Sequence, residues 1–307
     1  MQILIFGAGG NGRICKAYLE RTEHELVGFL DNGAKKRHFS IKNSFGEEIP
    51  VYLPDEIVNL QYDQVWVSNT KRNEALEIKE QLGRLHVPPE KVRMLLEDQA
   101  FMIEILAGYN QYDEFTDPRI SWLRNFADYA KENGLSGNVA ECGVCWGEFS
   151  YFINQYFQDR LLYLFDTFDG FSEQDLKVER SFEESDFLNS KFNNAQLFTG
   201  TSEQVVLARM RHPENCILKK GYFPETATGL MDTFCFVNLD MDLYQPTLAG
   251  LQFFYEKMCP GGVILLHDYF HKELPGVKRA VKDFEKSGVK LCKLPIGDFC
   301  SIAVVVP

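Results

Sequence analysis

Polar side chains that can do acid–base or metal chemistry follow two strongly apolar runs in the C-terminal half of the sequence. Asp240 ends the run FCFVNLD, and the pair His267-Asp268 ends the run VILLHD. Carboxylate and imidazole groups can bind a divalent cation or take a proton from a hydroxyl. A single aspartate in such a place is commonly a helix cap, but three polar groups ending two apolar runs favour a functional cluster. We predict Asp240 and His267 as catalytic residues and Asp240, His267 and Asp268 as metal ligands.

A glycine turn and a downstream acid form a second candidate site near the middle of the chain. In the turn ECGVCWG, Gly143 and Gly147 would let the backbone approach a ligand closely. The turn lacks the GK[ST] of a phosphate loop, and Glu141 beside it disfavours an anion, so a cationic amino-acid-like group is the better guest. Asp166 follows Gly147 by 19 residues, which is the usual place for a carboxylate that binds ribose hydroxyls. Phe168 is positioned to stack on an adenine.

The elements that must position these residues alternate between apolar runs and amphipathic segments, as in parallel sheets covered by helices. We predict an α/β protein with two Rossmann-like domains, at residues 1–100 and 119–307, joined by a polar and aromatic connecting segment at 101–118. The second domain is expected to hold a seven-stranded sheet that ends in a hairpin. Its predicted strand segments are 138–142, 161–165, 196–198, 216–219, 234–239, 263–266, 290–294 and 301–306.

The N-terminal domain opens with a glycine pattern of its own. Its predicted strands are 3–6, 26–30, a strand near 51, 64–68 and 92–96, with helices at 11–21 and 73–85. GAGGNG contains GxGxxG directly after a strand, and Asp31 closes the next strand. This context fits a dinucleotide-binding fingerprint. The possible second nucleotide site therefore comprises Gly7, Gly9, Gly12 and Asp31, with an architectural role for the domain as the alternative.

Composition limits the classes of partner. The chain of 307 residues carries a formal net charge of −12 and shows no dense basic stretch, which argues against nucleic acid or an anionic membrane as its principal partner. No apolar run approaches the roughly 18 residues of a membrane-spanning helix, and MQILIFGAGG lacks the basic flank of a signal peptide. A cytoplasmic location is expected. The eight cysteines, several of them in apolar runs, are interpreted as reduced structural thiols.

The segment from about residue 119 to 284 resembles the macrocin O-methyltransferase family, which methylates sugar hydroxyls of macrolide and aminocoumarin antibiotics. The resemblance is carried by several blocks in the family's order: VAECGV, LYLFDTFDGF, KKGYFPET, LDMDLYQPT and CPGGVILLHDY followed by PGVKRAVKDF. It implies a class I methyltransferase fold, S-adenosylmethionine (SAM) as cofactor, an alcohol acceptor and usually Mg²⁺. The family generally has two adjacent aspartates where this chain has His267-Asp268, so the resemblance leaves both the need for a metal and its identity open.

The resemblance and the residues together predict a site and a reaction. The predicted cofactor-binding residues are Glu141, Gly143, Val144, Gly147, Ser150, Asp166, Thr167 and Phe168. The activity expected is transfer of the SAM methyl group to a sugar hydroxyl, with Asp240 or His267 taking the proton, either with or without the assistance of Mg²⁺ or another divalent cation. The expected partner is a small sugar or nucleotide-sugar acceptor, and a homo-oligomer is possible.

Two other functions stay open at this stage. The first glycine loop permits an NAD-dependent oxidoreductase or epimerase, although no Tyr-x-x-x-Lys pair of short-chain enzymes follows the loop. A nucleotide-sugar-binding scaffold without catalysis is the other, and IFGAGGNGR with VGFLDN resembles small Rossmann-like domains attached to bacterial glycan-modifying enzymes. The acidic and aromatic segment 171–192 is interpreted as either a lid over the site or a surface insertion.

Overall fold

The computed structural model describes residues 1–34 and 41–307, which divide into two compact units, Met1–Asn110 and Gln111–Pro307. Each unit is built around its own sheet. Within the described ranges, no helix has the length and apolar character needed to cross a membrane. All eight cysteines lie in these ranges as free thiols.

The first unit is a five-stranded parallel sheet in the order β3-β2-β1-β4-β5. This is the Rossmann-like arrangement that the sequence predicts. The strands are β1 Gln2–Phe6, β2 Glu25–Leu30, β3 Val51–Tyr52, β4 Gln64–Val67 and β5 Val92–Met94. The helices are α1 Gly10–Leu19, α2 Arg72–Arg84 and α3 Gln99–Leu106, with short 3₁₀ turns at Pro54–Asn59 and Pro89–Lys91.

The expected connecting segment 101–118 contains folded structure. Most of α3 lies in it, and Phe101 and Ile105 are fully buried within the first unit. The ring of Phe101 meets that of Trp66 edge to face at 4.8 Å between centroids. Apolar residues on one face of a short helix pack against the sheet before the chain leaves the unit, and the division between units falls after Asn110.

The second unit is a seven-stranded sheet in the order β11-β12-β10-β9-β6-β7-β8. The strands are β6 Asn138–Cys142, β7 Leu162–Asp166, β8 Cys216–Lys220, β9 Phe234–Leu239, β10 Met258–Leu266, β11 Cys292–Pro295 and β12 Ile302–Val305. Strand β12 is antiparallel to both β10 and β11, and the other pairs are parallel. The predicted seven-stranded sheet with a closing hairpin is therefore confirmed.

Helices cover both faces of this sheet. They are α4 Pro118–Glu132, α5 Glu148–Tyr156, α6 Glu173–Arg180, α7 Ser185–Leu188, α8 Glu203–Arg209, α9 Tyr244–Phe254 and α10 Pro275–Glu285, with 3₁₀ turns at Pro213–Asn215, Glu225–Ala227 and Tyr255–Lys257. One apolar cluster packs α4 and α5 on one face, and a second packs α9 and α10 on the other. The central strand β9 is buried along its whole length, which explains its unbroken apolar sequence.

One predicted strand is wrong. The sequence predicts one strand segment more than a seven-stranded sheet holds, and the surplus one, 196–198, forms turns beside an isolated bridge between Asp169 and Thr199. Leu197 packs at the edge of a small apolar cluster with Leu176 and Phe187 rather than in the sheet. A three-residue apolar pattern does not distinguish these two kinds of burial.

Candidate active site

The carboxyl ends of β6, β7, β9 and β10 open into one cavity of about 600 Å³ in the second unit. Because β6 lies between β7 and β9, the loops that follow these strands face each other across the cavity. The lining includes most of the predicted residues, namely Glu141, Gly143, Val144, Asp166, Thr167, Asp240, His267 and Asp268.

The glycine turn after β6 is set by contact with the protein's own backbone. Gly143 has φ +88°, and a Cβ there would lie 1.8 Å from the carbonyl oxygen of Asp240. Gly147 begins α5 with φ +74°, and a Cβ there would press on Val206 and Met210 at 3.1 Å. The sequence analysis attributes both glycines to a close approach between the backbone and a ligand. In the structure the protein's own packing requires a glycine at each position, and Gly143 borders the cavity whereas Gly147 does not.

Asp166, at the end of β7, holds this turn in place. Its Oδ2 accepts a hydrogen bond from the amide of Cys145 at 2.8 Å, and its Oδ1 accepts one from the amide of Phe168 at 2.7 Å. Burial raises the pKa of the carboxyl, and the backbone amides that bond to it oppose the rise. The side chain still borders the cavity, and a carboxylate oxygen can accept a second hydrogen bond there.

Glu141 is buried under the cavity and fully hydrogen-bonded. Its carboxyl accepts hydrogen bonds from the hydroxyl of Ser150 and from Nδ2 of Asn238, the latter at 2.9 Å. Burial raises the pKa of Glu141 to about 8. Because the raised pKa favours the neutral form of the carboxyl, Glu141 is a poor counter-ion for a cationic ligand. Ser150 is completely buried, so it fixes Glu141 rather than facing the cavity.

The predicted catalytic and metal-binding side chains meet. Nδ1 of His267 lies 2.9 Å from Oδ1 of Asp240 and 2.8 Å from Oδ2 of Asp268. Burial alone would lower the pKa of His267, but the two carboxylates outweigh burial and raise it well above its ordinary value. Burial likewise acts to raise the pKa of Asp240, and His267 and Arg119 outweigh it, so the pKa is lowered. His267 is thus placed as a cation between two anions.

A third carboxylate, Asp242, belongs to this cluster and is absent from the sequence prediction. One oxygen each of Asp240, Asp242 and Asp268 lies within 4.8 Å of the others. Burial and the nearby Asp268 and Asp240 raise the pKa of Asp242 well above its ordinary value. Three carboxylates at this spacing fit a hard divalent cation such as Mg²⁺. His267, Asp268 and Cys300 form an overlapping group whose nitrogen and sulfur donors suit a softer ion.

Arg119 is the buried cation of the cavity, and no sequence pattern points to it. It lies in the first turn of α4, where its Nη2 donates to Asp117 at 2.7 Å. Its Nη1 is 3.6 Å from Oδ2 of Asp240. Among the described residues, this buried Nη1 has no hydrogen-bond acceptor. A buried guanidinium donor without an acceptor is costly, so Nη1 is a candidate donor to an anionic group of a ligand.

Aromatic side chains line the other side of the cavity. Phe171 and Phe198 meet edge to face at 5.5 Å between centroids, and both border it. Phe168, the residue expected to stack on adenine, instead turns into the core with φ +55° and is 7% exposed. It packs in the same apolar cluster as Val206 and does not line the cavity.

The segment 171–192 forms a folded wall of this cavity and contains α6 and α7. Glu179, buried in α6, accepts hydrogen bonds from the amides of Tyr244 at 3.0 Å and Gly276 at 2.9 Å. These amides open α9 and α10, where a carboxylate is favoured by the helix dipole. A Cβ at Gly276 would lie 2.2 Å from the carboxylate. One acid therefore ties the wall to two helices.

The glycine loop of the first unit has a similar local geometry. Asp31 accepts hydrogen bonds from the amides of Ala8 at 3.0 Å and Gly33 at 2.7 Å. A Cβ at Gly12 would lie 1.9 Å from the carbonyl oxygen of Gly7, so this glycine lets α1 pack against β1. Gly9 has open space around it. The four residues of the possible nucleotide site are thus brought together, and three of them have structural partners.

Comparison with known proteins supplies the family. Residues 111–299 match the family described as Macrocin-O-methyltransferase (TylF), which is more than half of the chain. The chain belongs to the macrocin O-methyltransferase family. It is accordingly an O-methyltransferase of the class that takes its methyl group from SAM. Residues 1–93 match a family described as C2185-like, N-terminal.

Two solved structures are similar to this chain to different degrees. The O-methyltransferase NovP is 20% identical, with a TM-score of 0.53 over 67% of this chain and 97% of its own. CalS11, a calicheamicin methyltransferase, is 18% identical with a TM-score of 0.48 over 76% of this chain and 92% of its own. No curated protein matches the chain. The macrocin-family assignment thus rests on the sequence match, and NovP supports the methyltransferase fold.

Proposed function

We propose that this macrocin-family enzyme methylates a hydroxyl of a sugar or sugar-bearing precursor, with SAM bound at the turn after β6. The observation that carries the proposal is a single cavity in which this turn, the buried cation Arg119 and the carboxylate cluster all meet. Methyl transfer needs mainly alignment of an oxygen nucleophile with an already activated methyl group, together with removal of one proton.

The donor is proposed to lie between the turn and β7. Arg119 Nη1, which lacks an acceptor among the described residues, receives the methionyl carboxylate. Asp166 accepts from the ribose hydroxyls through its remaining lone pairs, beside Thr167 and Val144. Phe171 and Phe198 replace Phe168 as the aromatic groups nearest to an adenine in the cavity.

The acceptor hydroxyl is proposed to lie at the carboxylate cluster. A new C–O bond forms as the C–S bond of the sulfonium breaks, and the hydroxyl proton passes to a carboxylate of the protein. Because its raised pKa makes His267 a proton donor, the proton acceptor falls to Asp240 or Asp242. Of the two, Asp240 has a lowered pKa and stays ionised, whereas the raised pKa of Asp242 favours its protonated form, which cannot accept a proton. His267 holds Asp240 and Asp268 in position.

A divalent cation fits this cluster by its donor chemistry. The ion would be held by Asp240, Asp242 and Asp268. This set differs from the ligands predicted from the sequence in that Asp242 takes the place of His267. When bound, such an ion lowers the pKa of an alcohol. His267 instead lies between two of the three ligands, so its cationic form competes with the ion.

The test is calorimetric binding of S-adenosylhomocysteine combined with methyl transfer to a panel of sugars and nucleotide sugars. We expect Arg119→Met to weaken binding of S-adenosylhomocysteine about tenfold or more, as for loss of one charged hydrogen bond. Asp240→Asn and Asp242→Asn should keep that binding and lower turnover about 10²- to 10⁴-fold. A wild-type protein that does not bind S-adenosylhomocysteine would refute the proposal.

A further inference from the structure

A second depression opens beside the catalytic cavity, and the two share His271. It has a volume of about 580 Å³ and is formed by the loop after β10, the outer face of α10 and Glu184 of the wall segment. We call it the α10 groove. A depression of this size lies in the range of small-molecule sites. The amide of the shared residue His271 donates a hydrogen bond to the carbonyl of Asp268 at 3.0 Å.

The lining of the α10 groove is strongly cationic in an acidic protein. It contains five cationic side chains against two acidic ones, whereas the whole chain carries a net charge of −12. The cationic residues are Lys272, Lys278, Arg279, Lys282 and Lys286. Three of them recur every four residues along α10, so they lie along one side of the helix.

The acids of the groove neutralise only part of this charge. Lys286 lies 2.6 Å from Asp283, and Arg279 lies 3.7 Å from Glu184. In the ranges 1–34 and 41–307, Lys272, Lys278 and Lys282 have no ion pair. Like charges this close together repel one another. The opposite face of α10 is buried in the core, so the helix is fixed with its lysines on the side of the groove.

The alternative explanation is a solvated helix face, on which scattered lysines are common. Two observations argue against it here. The cations line a concave surface instead of projecting from a convex one, and that surface shares the lining residue His271 with the catalytic cavity. A cationic groove beside a site for a neutral hydroxyl fits an acceptor with an anionic end.

We propose that the α10 groove binds the phosphate groups of the acceptor, so that the enzyme methylates a sugar carried on a diphosphate rather than a free sugar. The groove receives the diphosphate while the sugar reaches the carboxylate cluster. Lysine ammonium groups suit phosphate as point charges. This inference rests on the proposed function, since it names the class of acceptor for that site.

The experiment measures binding of inorganic pyrophosphate and of UDP-glucose by calorimetry, with S-adenosylhomocysteine binding measured in parallel. The test variant is the double reversal Lys278→Glu/Lys282→Glu. The matched control is Lys131→Glu/Lys290→Glu, which makes the same charge change at two exposed residues outside the groove. We expect the test variant to weaken pyrophosphate and UDP-glucose at least tenfold and to leave S-adenosylhomocysteine unchanged. The control variant should bind all three like the wild type.

Free glucose should bind at least tenfold more weakly than UDP-glucose. A short-chain polyprenyl diphosphate sugar tested alongside distinguishes a lipid carrier from a nucleotide carrier, since the tighter of the two ligands identifies the source of the diphosphate. The inference is overturned if the wild type binds pyrophosphate no better than the test variant does. If the wild type does not bind S-adenosylhomocysteine, that result would instead count against the proposed function.

Discussion

The two units share one hydrogen-bonding arrangement at the loop after their first strand, but they differ in the residues around that loop. In each, an aspartate at the end of the second strand accepts a hydrogen bond from a backbone amide in the loop after the first strand. Asp31 bonds to the amide of Ala8 at 3.0 Å, and Asp166 bonds to that of Cys145 at 2.8 Å. An acid at this position thus has a structural task in both units, whatever ligand it also meets.

The difference lies in the neighbouring strands. The next-to-last residue of the first strand is Ile5 in one unit and Glu141 in the other, and both are buried. After the next strand across the sheet, the first unit continues with Ser68, whose hydroxyl donates to the carbonyl of Phe6 at 2.9 Å. The second unit continues there with Asp240. The glycine loop supplies a place for a ligand, and the loops beside it decide the reaction.

The largest expected contrast in ligand affinity comes from removing each aspartate in turn. Asp166→Ala should weaken binding of S-adenosylhomocysteine about 10- to 100-fold, because the ribose loses a charged acceptor and the turn loses its anchor. Asp31→Ala in the same protein should leave that affinity unchanged. Calorimetric titration of both variants is the measurement. Equal weakening by the two substitutions would mean that the loops do not act separately.

A contrast in stability is expected from adding one methyl group to each loop. Gly143→Ala places a Cβ 1.8 Å from the Asp240 carbonyl at a positive φ, so we expect a loss of about 2–4 kcal/mol in the free energy of unfolding. Gly10→Ala meets no atom within 4 Å and should change stability by less than about 0.5 kcal/mol. Scanning calorimetry compares the two. A stable Gly143→Ala protein would show that the turn after β6 can move.

A contrast in the pH dependence of stability is expected at Glu141. Its folded pKa of about 8 lies above the ordinary value of 4.5, so the folded state keeps a proton that the unfolded state releases. Stability contributed by this group is therefore lost as pH rises from about 4.5 to about 8. Glu141→Gln should gain about 3–4 kcal/mol over the wild type between pH 5 and pH 8. Urea unfolding at both pH values checks this, and Ile5→Leu in the first unit should show no such trend.

Much of the fold and the centre of the site follow from sequence patterns. Apolar runs predict the parallel strands, and since their carboxyl ends meet at one edge, Asp240, His267 and Asp268 are predicted together and lie together. Phe168 shows where such reasoning stops. An aromatic residue after a strand can face either a ligand or the core, and only the packing around Val206 decides between them.

Arg119 and Asp242 show a second reason why sequence patterns do not predict the whole site. Arg119 is far from Asp240 in the sequence, and nothing near it signals an active site; only the folded chain brings its Nη1 to 3.6 Å from Asp240. Asp242 lies beyond the end of β9 in a left-handed conformation, with φ +62°. Strand periodicity no longer applies there, so the direction of its side chain has no sequence signal.

The bonds of Glu179 have a consequence for exchanging acceptor specificity between relatives. The stretch that holds this carboxylate borders the catalytic cavity, while its two partner amides belong to α9 and α10. A chimera that imports 171–192 alone would leave two helix starts without their acceptor unless the incoming segment carries an acid at the same place. The recipient protein must also have a glycine at the position of Gly276, because any larger residue there collides with that acid. The wall and the helices beneath it are therefore one module for transplantation.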